Sequence, residues 1–290
     1  MLDQRISAST LRFAVLGESL AHTWSPPIHN TLFRQAGLDA VYLPITVPKD
    51  RLASAVDVLR SCFAGFNVTI PYKEQIMPLL DELDETARAC GAVNTVENRG
   101  GRLIGHITDG SGMLRAIQEG GIDPSGADVL ILGGGGAARV AAYEFLKRGG
   151  RVTLAVRSME KGARLVRELA DTQQDGSSRI EVAALHDLSD SNAVHDILVN
   201  CTPVGMYPNT NECPVDEAVI ARCGAVFDAV YNPRVTKLLD SARRIGIPAI
   251  EGLGMLFYQA VEAEKHWFGE KAIASEAVQR AVYHELLEQL

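Results

Sequence analysis

The sequence lacks the long apolar runs that would carry a chain through a membrane. None of its segments reaches the roughly 18 consecutive apolar residues that a membrane-spanning helix needs. The opening segment, MLDQRISASTLRFAVLG, has no basic start followed by an apolar run, so no secretory signal peptide is predicted. We therefore expect a cytoplasmic protein with no membrane partner.

Positive charge is also scarce. The chain has 28 lysines and arginines against 36 aspartates and glutamates, and its formal net charge is −8. A nucleic-acid-binding protein usually needs a basic face, because its cations must displace the counterions of the phosphate backbone. We therefore expect no nucleic-acid partner. The net charge does not indicate which small molecule the protein binds.

Cysteine and histidine show no metal-binding pattern. The five cysteines are scattered without a C-x-x-C pair, and the seven histidines have no motif spacing. We expect reduced thiols and no metal site.

What the sequence does contain is an alternation of strands and helices. The composition is 47% hydrophobic, which is enough for a sizeable core. The alternation favours an α/β fold with a largely parallel sheet in the N-terminal part. There we predict a helix with Ser25 as its N-cap and Pro26 as its first residue. Residues 75–91 are predicted to form one helix, and residues 92–109 a hairpin.

The second part of the chain is marked by a glycine turn. ADVLILGGGGAARVAAYEFLKRGGRVTLAVRS contains an apolar strand, the turn, a small-residue helix and a second apolar strand. Gly133, Gly135 and Ala138 match G-x-G-x-x-A, in which glycine lets a pyrophosphate approach the backbone at a helix N-terminus. This frame favours dinucleotide binding over a simple packing turn.

The end of the following strand bears on the choice of cofactor. Val156 is followed by Arg157 and Ser158. NAD-specific folds usually carry an acidic residue here, whereas arginine suits the 2′-phosphate of NADP. Glu160 supports the opposite interpretation, since its carboxylate would suit the ribose hydroxyls of NAD. Arg157 can also be read as a solvated loop charge. We favour NADP.

Polar residues gather where the N-terminal strands end. GFNVTIPYKEQ is typical of a buried strand that stops at Pro71 and is followed by Lys73, and GHITDGSGM places Asp109 in a turn before a helix. Strand ends of this kind border the ligand crevice of an α/β sheet. A lysine and an aspartate there suit proton transfer to and from an alcohol. The alternatives are a solvated surface lysine and a structural salt bridge.

The order of motifs resembles that of the shikimate dehydrogenase family from end to end. The motifs are GESLAHTWSPPIHN, NVTIPYK at 67–73, GAVNT at 91–95, ITD at 107–109, G-x-G-G-A-x-R at 133–139, N-x-T-x-x-G-M at 200–206, D-x-x-Y-x-P-x-x-T at 228–236 and G-x-x-M-L-x-x-Q at 252–259. The resemblance implies an oxidoreductase of the shikimate pathway of aromatic amino acid biosynthesis. Such an enzyme reduces 3-dehydroshikimate to shikimate with NADPH, or catalyses the reverse reaction.

The resemblance also implies residue roles. Lys73 would be the acid/base and Asp109 its hydrogen-bonded partner. The substrate would be bound by Thr23 and Ser25 at its carboxylate and by Thr69, Asn94, Asp109 and Gln259 at its ring hydroxyls, with Tyr231 nearby. The cofactor would be bound by Gly133, Gly134, Gly135, Gly136, Ala137 and Arg139 at the pyrophosphate, by Arg157 and Ser158 at the adenosine phosphate, and by Thr202, Met206, Gly252 and Met255 on the nicotinamide side.

The family pattern is broken at three positions. Thr23 replaces a serine, Ile107 replaces the asparagine of N-T-D, and Val156 replaces the asparagine before the arginine. These departures leave open a divergent relative that uses quinate or NAD. Two further alternatives are a non-catalytic regulator that binds NADP or a metabolite, and a two-domain dehydrogenase that acts on a folate or an amino acid.

The resemblance finally implies a domain organisation. Residues 1–104 would form an α/β substrate-binding domain, and residues 105–254 a Rossmann-type, doubly wound NADP-binding domain. Helices within residues 255–290 would return to the first domain, and the active site would lie between the domains. The partner would be a carboxylated polyol, and the protein a monomer or a homodimer.

Overall fold

The computed structural model describes residues 6–21, 23–170 and 179–289 of the chain. The chain divides into two compact units. Unit 1 comprises Met1–Thr108 with Gln259–Leu290, and unit 2 comprises Asp109–Tyr258. Which unit binds substrate and which binds cofactor stays a prediction at this point.

The N-terminal part of unit 1 alternates strands and helices. Its elements are β1 (Leu11–Gly17), α1 (Ser25–Gln35), β2 (Ala40–Thr46), α2 (Leu52–Cys62), β3 (Gly65–Val68), β4 (Glu82–Leu83), α3 (Glu85–Cys90), β5 (Thr95–Arg99) and β6 (Arg102–His106), with 3-10 helices at Lys49–Arg51 and Met77–Leu79.

Unit 2 follows with a second alternating series. Its elements are α4 (Asp109–Glu119), β7 (Asp128–Leu132), α5 (Gly136–Lys147), β8 (Arg151–Val156), α6 (Met159–Ala170), β9 (Ile180–Ala184), β10 (His195–Asn200), α7 (Glu217–Ile220), β11 (Cys223–Asp228), α8 (Lys237–Arg244) and β12 (Ala249–Ile250), with a 3-10 helix at Leu185–Asp187. Helix α9 (Leu253–Phe268) begins in unit 2 and ends in unit 1, where α10 (Glu276–Gln289) follows.

The sheet of unit 1 has six strands in the order β2-β1-β3-β5-β6-β4. β1 pairs in parallel with β2 and β3, and β5 pairs antiparallel with β3 and β6. The predicted hairpin is confirmed, with its turn at Gly100 and Gly101. β4 pairs in parallel with β6, so of these six strands only β5 runs against the others. The sheet is thus largely parallel, as predicted, with one antiparallel strand contributed by the hairpin.

The prediction of one helix over residues 75–91 is wrong. The segment contains the 3-10 helix, β4 and α3. Asp81 breaks the helical pattern, because its N–H donates to the carbonyl of Leu103 at 3.0 Å and so brings the chain alongside β6. Asp84 then caps α3 by accepting a hydrogen bond from the N–H of Ala87 at 2.6 Å.

The start of α1 also differs from the prediction. Trp24 is the N-cap, and Ser25 is the first helical residue with Pro26 behind it. The hydroxyl near the helix start that accepts a backbone hydrogen bond is that of Thr23, which takes the N–H of Ser25 at 3.4 Å. A proline in the first turn is compatible with either register, since its missing N–H would be unsatisfied anyway.

The second sheet confirms the predicted doubly wound fold. Its six strands run in the order β12-β11-β10-β7-β8-β9, and every neighbouring pair is parallel. Read from β9, this is the Rossmann order 3-2-1-4-5-6, with β7 as the first strand. Its core contains Leu130, Leu132 and Leu198, which are almost fully buried. Such strands read as continuous apolar runs because helices cover both faces.

The end of α9 packs on the sheet of unit 1. The ring of Trp267 lies 4.6 Å from the ring of Phe13, and its Nε1–H donates to the carbonyl of Val96 at 3.0 Å. This approach requires a glycine at position 65, because a Cβ there would lie 2.4 Å from Trp267 Nε1. Among the residues that the structure describes, no helix is both long enough and apolar enough to span a membrane.

Candidate active site

In unit 1 a buried polar network is centred on the predicted substrate-binding residue Asn94, which is 3% exposed. Its Oδ1 accepts hydrogen bonds from the N–H of Thr108 at 2.8 Å and the hydroxyl of Thr95 at 3.0 Å. Its Nδ2 donates to Thr108 Oγ1 at 3.0 Å and to Gln259 Oε1 at 3.3 Å. The amide of Asn94 is therefore held in one orientation, and it links the end of β6 to helix α9.

The network continues into the sheet through Asn67. Its Nδ2 donates to the carbonyl of Asn94 at 3.0 Å and to Thr95 Oγ1 at 2.9 Å, and its Oδ1 accepts the hydroxyl of Tyr42 at 2.7 Å. Burial raises the pKa of Tyr42 well above its ordinary value, against a hydrogen bond with Ser25 that lowers it. We call Tyr42, Asn67, Asn94, Thr95, Thr108 and Gln259 the Asn94 network.

This network joins some of the predicted substrate-binding residues. Asn94 and Gln259 are members, and Ser25 reaches it through Tyr42. Sequence reasoning assigned no role to Tyr42 or Thr108. A signal for Tyr42 was available, because a tyrosine on a buried strand face needs a partner for its hydroxyl.

Lys73 follows β3 in a turn held on both sides. The hydroxyl of Tyr72, which is fully buried, donates to the carbonyl of Val47 at 2.5 Å. The carbonyl of Lys73 accepts the N–H of Val93 at 2.8 Å. The Lys73 backbone is thus anchored next to the segment that carries Asn94, and its side chain is half-buried.

Two further predicted residues of the site, Thr69 and Asp109, are half-buried, and Ile107, which departs from the family pattern, is buried. Thr69 is half-buried directly after β3, and its N–H donates to the carbonyl of Leu16 at 2.9 Å. Ile107, in the place of the family asparagine, is 5% exposed and brings no polar side-chain atom. Asp109 is half-buried and is the first residue of α4 in unit 2.

In unit 2 the glycine turn follows β7. Gly133 has φ +111°, and a Cβ on it would lie 3.2 Å from Thr202 Cγ2. Gly135 is the N-cap of α5 without any side-chain hydrogen bond, and a Cβ on Gly135 or Gly136 would meet nothing within 4 Å. Gly134 and Ala137 are exposed. The turn thus offers backbone N–H groups and open space, which fits a pyrophosphate.

Arg139 and Arg157 lie in different settings. The guanidinium of Arg139 forms an ion pair with Glu168 on α6 and lowers the pKa of that carboxyl. Arg157 and Ser158 are exposed after β8. Arg157 borders a cavity of about 440 Å³, whose other walls include Leu185, His186, Ser189 and Val215.

A second buried network lies at the carboxyl ends of β10 and β11. Asn200 Nδ2 donates to Asp228 Oδ1 at 2.9 Å, and Asn200 Oδ1 accepts the hydroxyl of Thr202 at 2.7 Å. Asp228 Oδ2 accepts the hydroxyl of Thr236 at 2.6 Å. Burial raises the pKa of Asp228, and the hydrogen bonds from Thr236, Val230 and Asn200 oppose that rise. We call Asn200, Thr202, Asp228 and Thr236 the Asp228 network.

The remaining predicted cofactor and substrate residues of unit 2 differ in their exposure to solvent. Met206 is 45% exposed and Tyr231 is 43% exposed, whereas Met255 is half-buried. Gly252 has a packing reason for being glycine, because a Cβ there would lie 2.5 Å from the carbonyl oxygen of Asp228. Its predicted contact with the nicotinamide stays a prediction.

Strand order and glycine turn together give unit 2 the fold of dinucleotide-binding oxidoreductases. The model of a protein family described as the shikimate dehydrogenase substrate binding domain matches residues 15–96, within unit 1.

Comparison with characterised proteins extends this match over nearly the whole chain. The NADP(+) shikimate dehydrogenase of Carboxydothermus hydrogenoformans is 39% identical over 91% of this chain and 94% of its own length. That of Methanopyrus kandleri is 39% identical over 97% of this chain and 98% of its own length. The chain belongs to the shikimate dehydrogenase family, as its motifs predicted.

Solved structures of shikimate and quinate dehydrogenases have a fold similar to that of this chain. A shikimate dehydrogenase in complex with NADP+ has a TM-score of 0.89 and 34% identity, with 99% of both chains covered. Shikimate 5-dehydrogenase from Thermus thermophilus, in complex with NADP(H) and shikimate, has a TM-score of 0.83 and 31% identity over 95% of this chain and 99% of that chain. Quinate dehydrogenase from Corynebacterium glutamicum, in complex with NAD, has a TM-score of 0.85 and 28% identity over 96% of this chain and 99% of that chain.

Proposed function

We propose that this protein transfers hydride between NADP(H) and the pair shikimate and 3-dehydroshikimate. The observation that carries the proposal is the match to NADP(+) shikimate dehydrogenases over 91% of the chain and 94% of the relative. The retained lysine and aspartate favour an enzyme over a regulator, since pure binding needs no acid/base pair.

The proposed chemistry assigns the proton to Lys73. In the oxidising direction, the carbon that bears the alcohol gives hydride to NADP+, and the hydroxyl proton passes to the amine of Lys73. In the reducing direction the ammonium returns that proton to the new alkoxide. Asp109 is the proposed carboxylate that supports the ammonium form of Lys73.

For shikimate we propose unit 1 as the binding unit. Its carboxylate would lie at the N-terminus of α1, where Thr23 and Ser25 offer hydroxyls and the helix dipole favours an anion. Asn94 and Gln259 would read ring hydroxyls from amides that the Asn94 network already orients. Thr69 and Tyr231 are proposed as further contacts. Fixed amides reduce the entropy lost when the substrate binds.

For NADP we propose unit 2. The pyrophosphate would bind at the turn from Gly133 to Ala137, and Arg139 would leave Glu168 to reach it. Arg157 and Ser158 would bind the 2′-phosphate beside the cavity that Arg157 borders. Thr202, Met206, Gly252 and Met255 are the proposed neighbours of the nicotinamide ring. When bound, the nicotinamide supplies the hydride chemistry.

Initial rates test the proposal. Purified protein is assayed with shikimate and with quinate, each with NADP+ and NAD+, beside the variants Lys73→Ala and Lys49→Ala. Lys49 is the control, because its side chain is 64% exposed in the same unit. We expect shikimate with NADP+ to be fastest, and a loss in kcat on the order of 10³ in Lys73→Ala alone. Full activity of Lys73→Ala would contradict its proposed role.

A second candidate is a quinate dehydrogenase that uses NAD. It is favoured by Ile107 and Val156, which depart from the family pattern, and by the structural likeness to a quinate dehydrogenase in complex with NAD. Quinate and shikimate differ at one ring position, and a single hydroxyl contact is enough to discriminate them. Faster turnover of quinate or of NAD+ in the same assay would select this candidate.

Calorimetric binding of shikimate without any turnover would select the regulator.

Location and assembly complete the proposal. We propose a cytoplasmic protein that is a monomer of 31.3 kDa or its homodimer. Light scattering after size exclusion distinguishes the two masses, and fractionation of cells tests the location.

A further inference from the structure

Unit 1 contains a group of histidines and carboxylates that the proposed reaction does not use. Asp84 is the N-cap of α3, Glu97 lies on β5, His106 ends β6, and His266 lies on α9. We call these four residues the His106 cluster. Ligand atoms of Asp84, His106 and His266 all lie within 4.8 Å of one another.

The hydrogen bonding of His106 fixes which ring nitrogen carries a proton. Its Nδ1 lies 2.7 Å from Asp84 Oδ2. The Asp84 carboxylate also accepts the N–H of Ala87 at 2.6 Å. An ionised carboxylate only accepts hydrogen bonds, so Nδ1 carries the proton. The lone pair of the neutral ring is then on Nε2.

That Nε2 atom has no hydrogen-bond partner among the described residues, although the His106 side chain is only 7% exposed. It faces Glu97 Oε2 at 3.5 Å. A lone pair and a carboxylate oxygen repel each other unless a positive charge lies between them. The cluster therefore indicates a cation at this position, either a second proton on the ring or a metal ion.

The separation of these two atoms distinguishes a proton from a metal ion. A charge-assisted N–H···O bond usually spans about 2.7–2.9 Å. Two ligand atoms on one tetrahedral zinc ion lie roughly 3.3 Å apart, given bonds of about 2.0–2.1 Å. The observed 3.5 Å between His106 Nε2 and Glu97 Oε2 is closer to the second value.

His266 supplies a second imidazole. Its ring stacks on that of His106 with centroids 3.8 Å apart and planes 20° apart. One of its ring nitrogens lies within 4.8 Å of a ligand atom of His106 and of one of Asp84. Rotation of the half-buried His266 ring would turn this nitrogen toward an ion bound at His106 Nε2.

We propose that the His106 cluster binds one divalent transition-metal ion of the Zn²⁺ type. His106 Nε2, a ring nitrogen of His266 and the Glu97 carboxylate are the ligands, and Asp84 orients His106 as a hydrogen-bonded carboxylate outside the coordination sphere. The ion ties α9 to the β5–β6 hairpin. The ion also supports the Asn94 network, because the N–H of Asn94 donates to the carbonyl of His106 at 3.0 Å.

Direct metal binding tests the proposal. Protein without an affinity tag is dialysed against EDTA and titrated calorimetrically with ZnCl₂, and a parallel sample is titrated with CoCl₂ and followed by visible absorption. His266→Gln removes a ligand at a half-buried position, and His284→Gln is the matched control on exposed α10. We expect one ion per chain in the wild type and the control, and binding at least about 10-fold weaker in His266→Gln.

Two further measurements distinguish a specific metal site from adventitious binding. Zinc should raise the thermal midpoint of the wild type and of His284→Gln, but not that of His266→Gln. Arg99 donates to Glu97 Oε2 at 3.0 Å and competes for it, so Arg99→Ala should bind zinc roughly two- to five-fold more tightly. No saturable binding, or equal binding in His266→Gln and His284→Gln, would overturn the proposal. Either result would support the expectation, drawn from cysteine and histidine spacing, of no metal site.

Discussion

Each unit contains a buried polar network near its strand ends, and the two networks are built from different groups. The Asn94 network contains amides and hydroxyls, all neutral. The Asp228 network is centred on a carboxylate that is 0% exposed and accepts hydrogen bonds from Asn200, Thr236 and the N–H of Val230. Burying a neutral hydrogen-bonded amide costs little, whereas burying a carboxylate costs several kcal/mol before its hydrogen bonds offset that cost.

The different compositions of the two networks indicate different roles. The hydrogen bonds of Asp228 fix the segments after β10 and β11, which carry Thr202 and Tyr231. The neutral groups of the Asn94 network orient amides that the proposed function assigns to ring hydroxyls. These neutral amides and hydroxyls can hydrogen-bond the neutral hydroxyls of a polyol ring, and the charge of the substrate is left to the N-terminus of α1.

The largest stability effect is expected for Asp228→Ala. It leaves Asn200 Nδ2, the Thr236 hydroxyl and the Val230 N–H without their acceptor in a buried site. We expect a loss of about 3–5 kcal/mol in the free energy of unfolding, measured by circular dichroism in guanidinium. Asp228→Asn keeps one acceptor oxygen and should cost only about 1 kcal/mol. Equal losses in the two variants would show that the hydrogen bonds are not the cause.

A smaller loss is expected for Asn94→Ala in unit 1. The variant removes the acceptor of the Thr108 N–H and the donor to Gln259. We expect a loss of about 2–3 kcal/mol. Tryptophan fluorescence reports it selectively, because the two tryptophans, Trp24 and Trp267, belong to unit 1. An unchanged fluorescence transition would contradict the buried network.

The pH dependence of stability should distinguish the networks further. Burial raises the folded pKa of Asp228 above its unfolded value of 3.8, so the folded state binds the proton more tightly. The raised pKa of Asp228 therefore adds to the free energy of unfolding below pH 3.8, and this stabilisation is lost as the pH rises through the folded pKa. Asp228→Asn should remove this slope, and Asn94→Ala should leave it unchanged. If the free energy of unfolding of Asp228→Asn keeps the same dependence on pH, that dependence is caused by another titratable group.

The smallest effect is expected for Tyr42→Phe. It leaves Asn67 Oδ1 without its donor but keeps the ring packed among apolar neighbours. We expect a loss of about 1–1.5 kcal/mol by tryptophan fluorescence. Tyr207→Phe in unit 2, where the ring is 68% exposed, should change the same transition by less than about 0.5 kcal/mol. A loss in the control as large as in Tyr42→Phe would contradict the role of the buried hydroxyl.

Local patterns in the sequence predicted the fold class, the glycine turn and the β5–β6 hairpin, because each of these depends on residues close along the chain. The helix predicted over residues 75–91 failed because pairing with β6, a tertiary contact, overrides helical propensity.

The polar networks and the His106 cluster depend on distant segments. Asn94 meets Gln259, and His106 meets His266, only after α9 returns to unit 1. The spacing of motifs along the chain does not predict such contacts between distant segments. The motif that contains Arg139 likewise does not predict the ion pair of Arg139 with Glu168.

Titration of NADPH into the variant Gly135→Asp is the most direct test of whether unit 2 binds NADP at its glycine turn. Gly135 has φ −92° and ψ −171°, which any residue adopts, and a Cβ there meets nothing within 4 Å. Aspartate is also a favourable N-cap, so the fold should be retained while its carboxylate repels a pyrophosphate. With Gly135→Ser as the uncharged control, we expect NADPH to bind at least about 100-fold more weakly to Gly135→Asp, with shikimate binding unchanged. NADPH binding as tight as in the wild type would contradict this expectation.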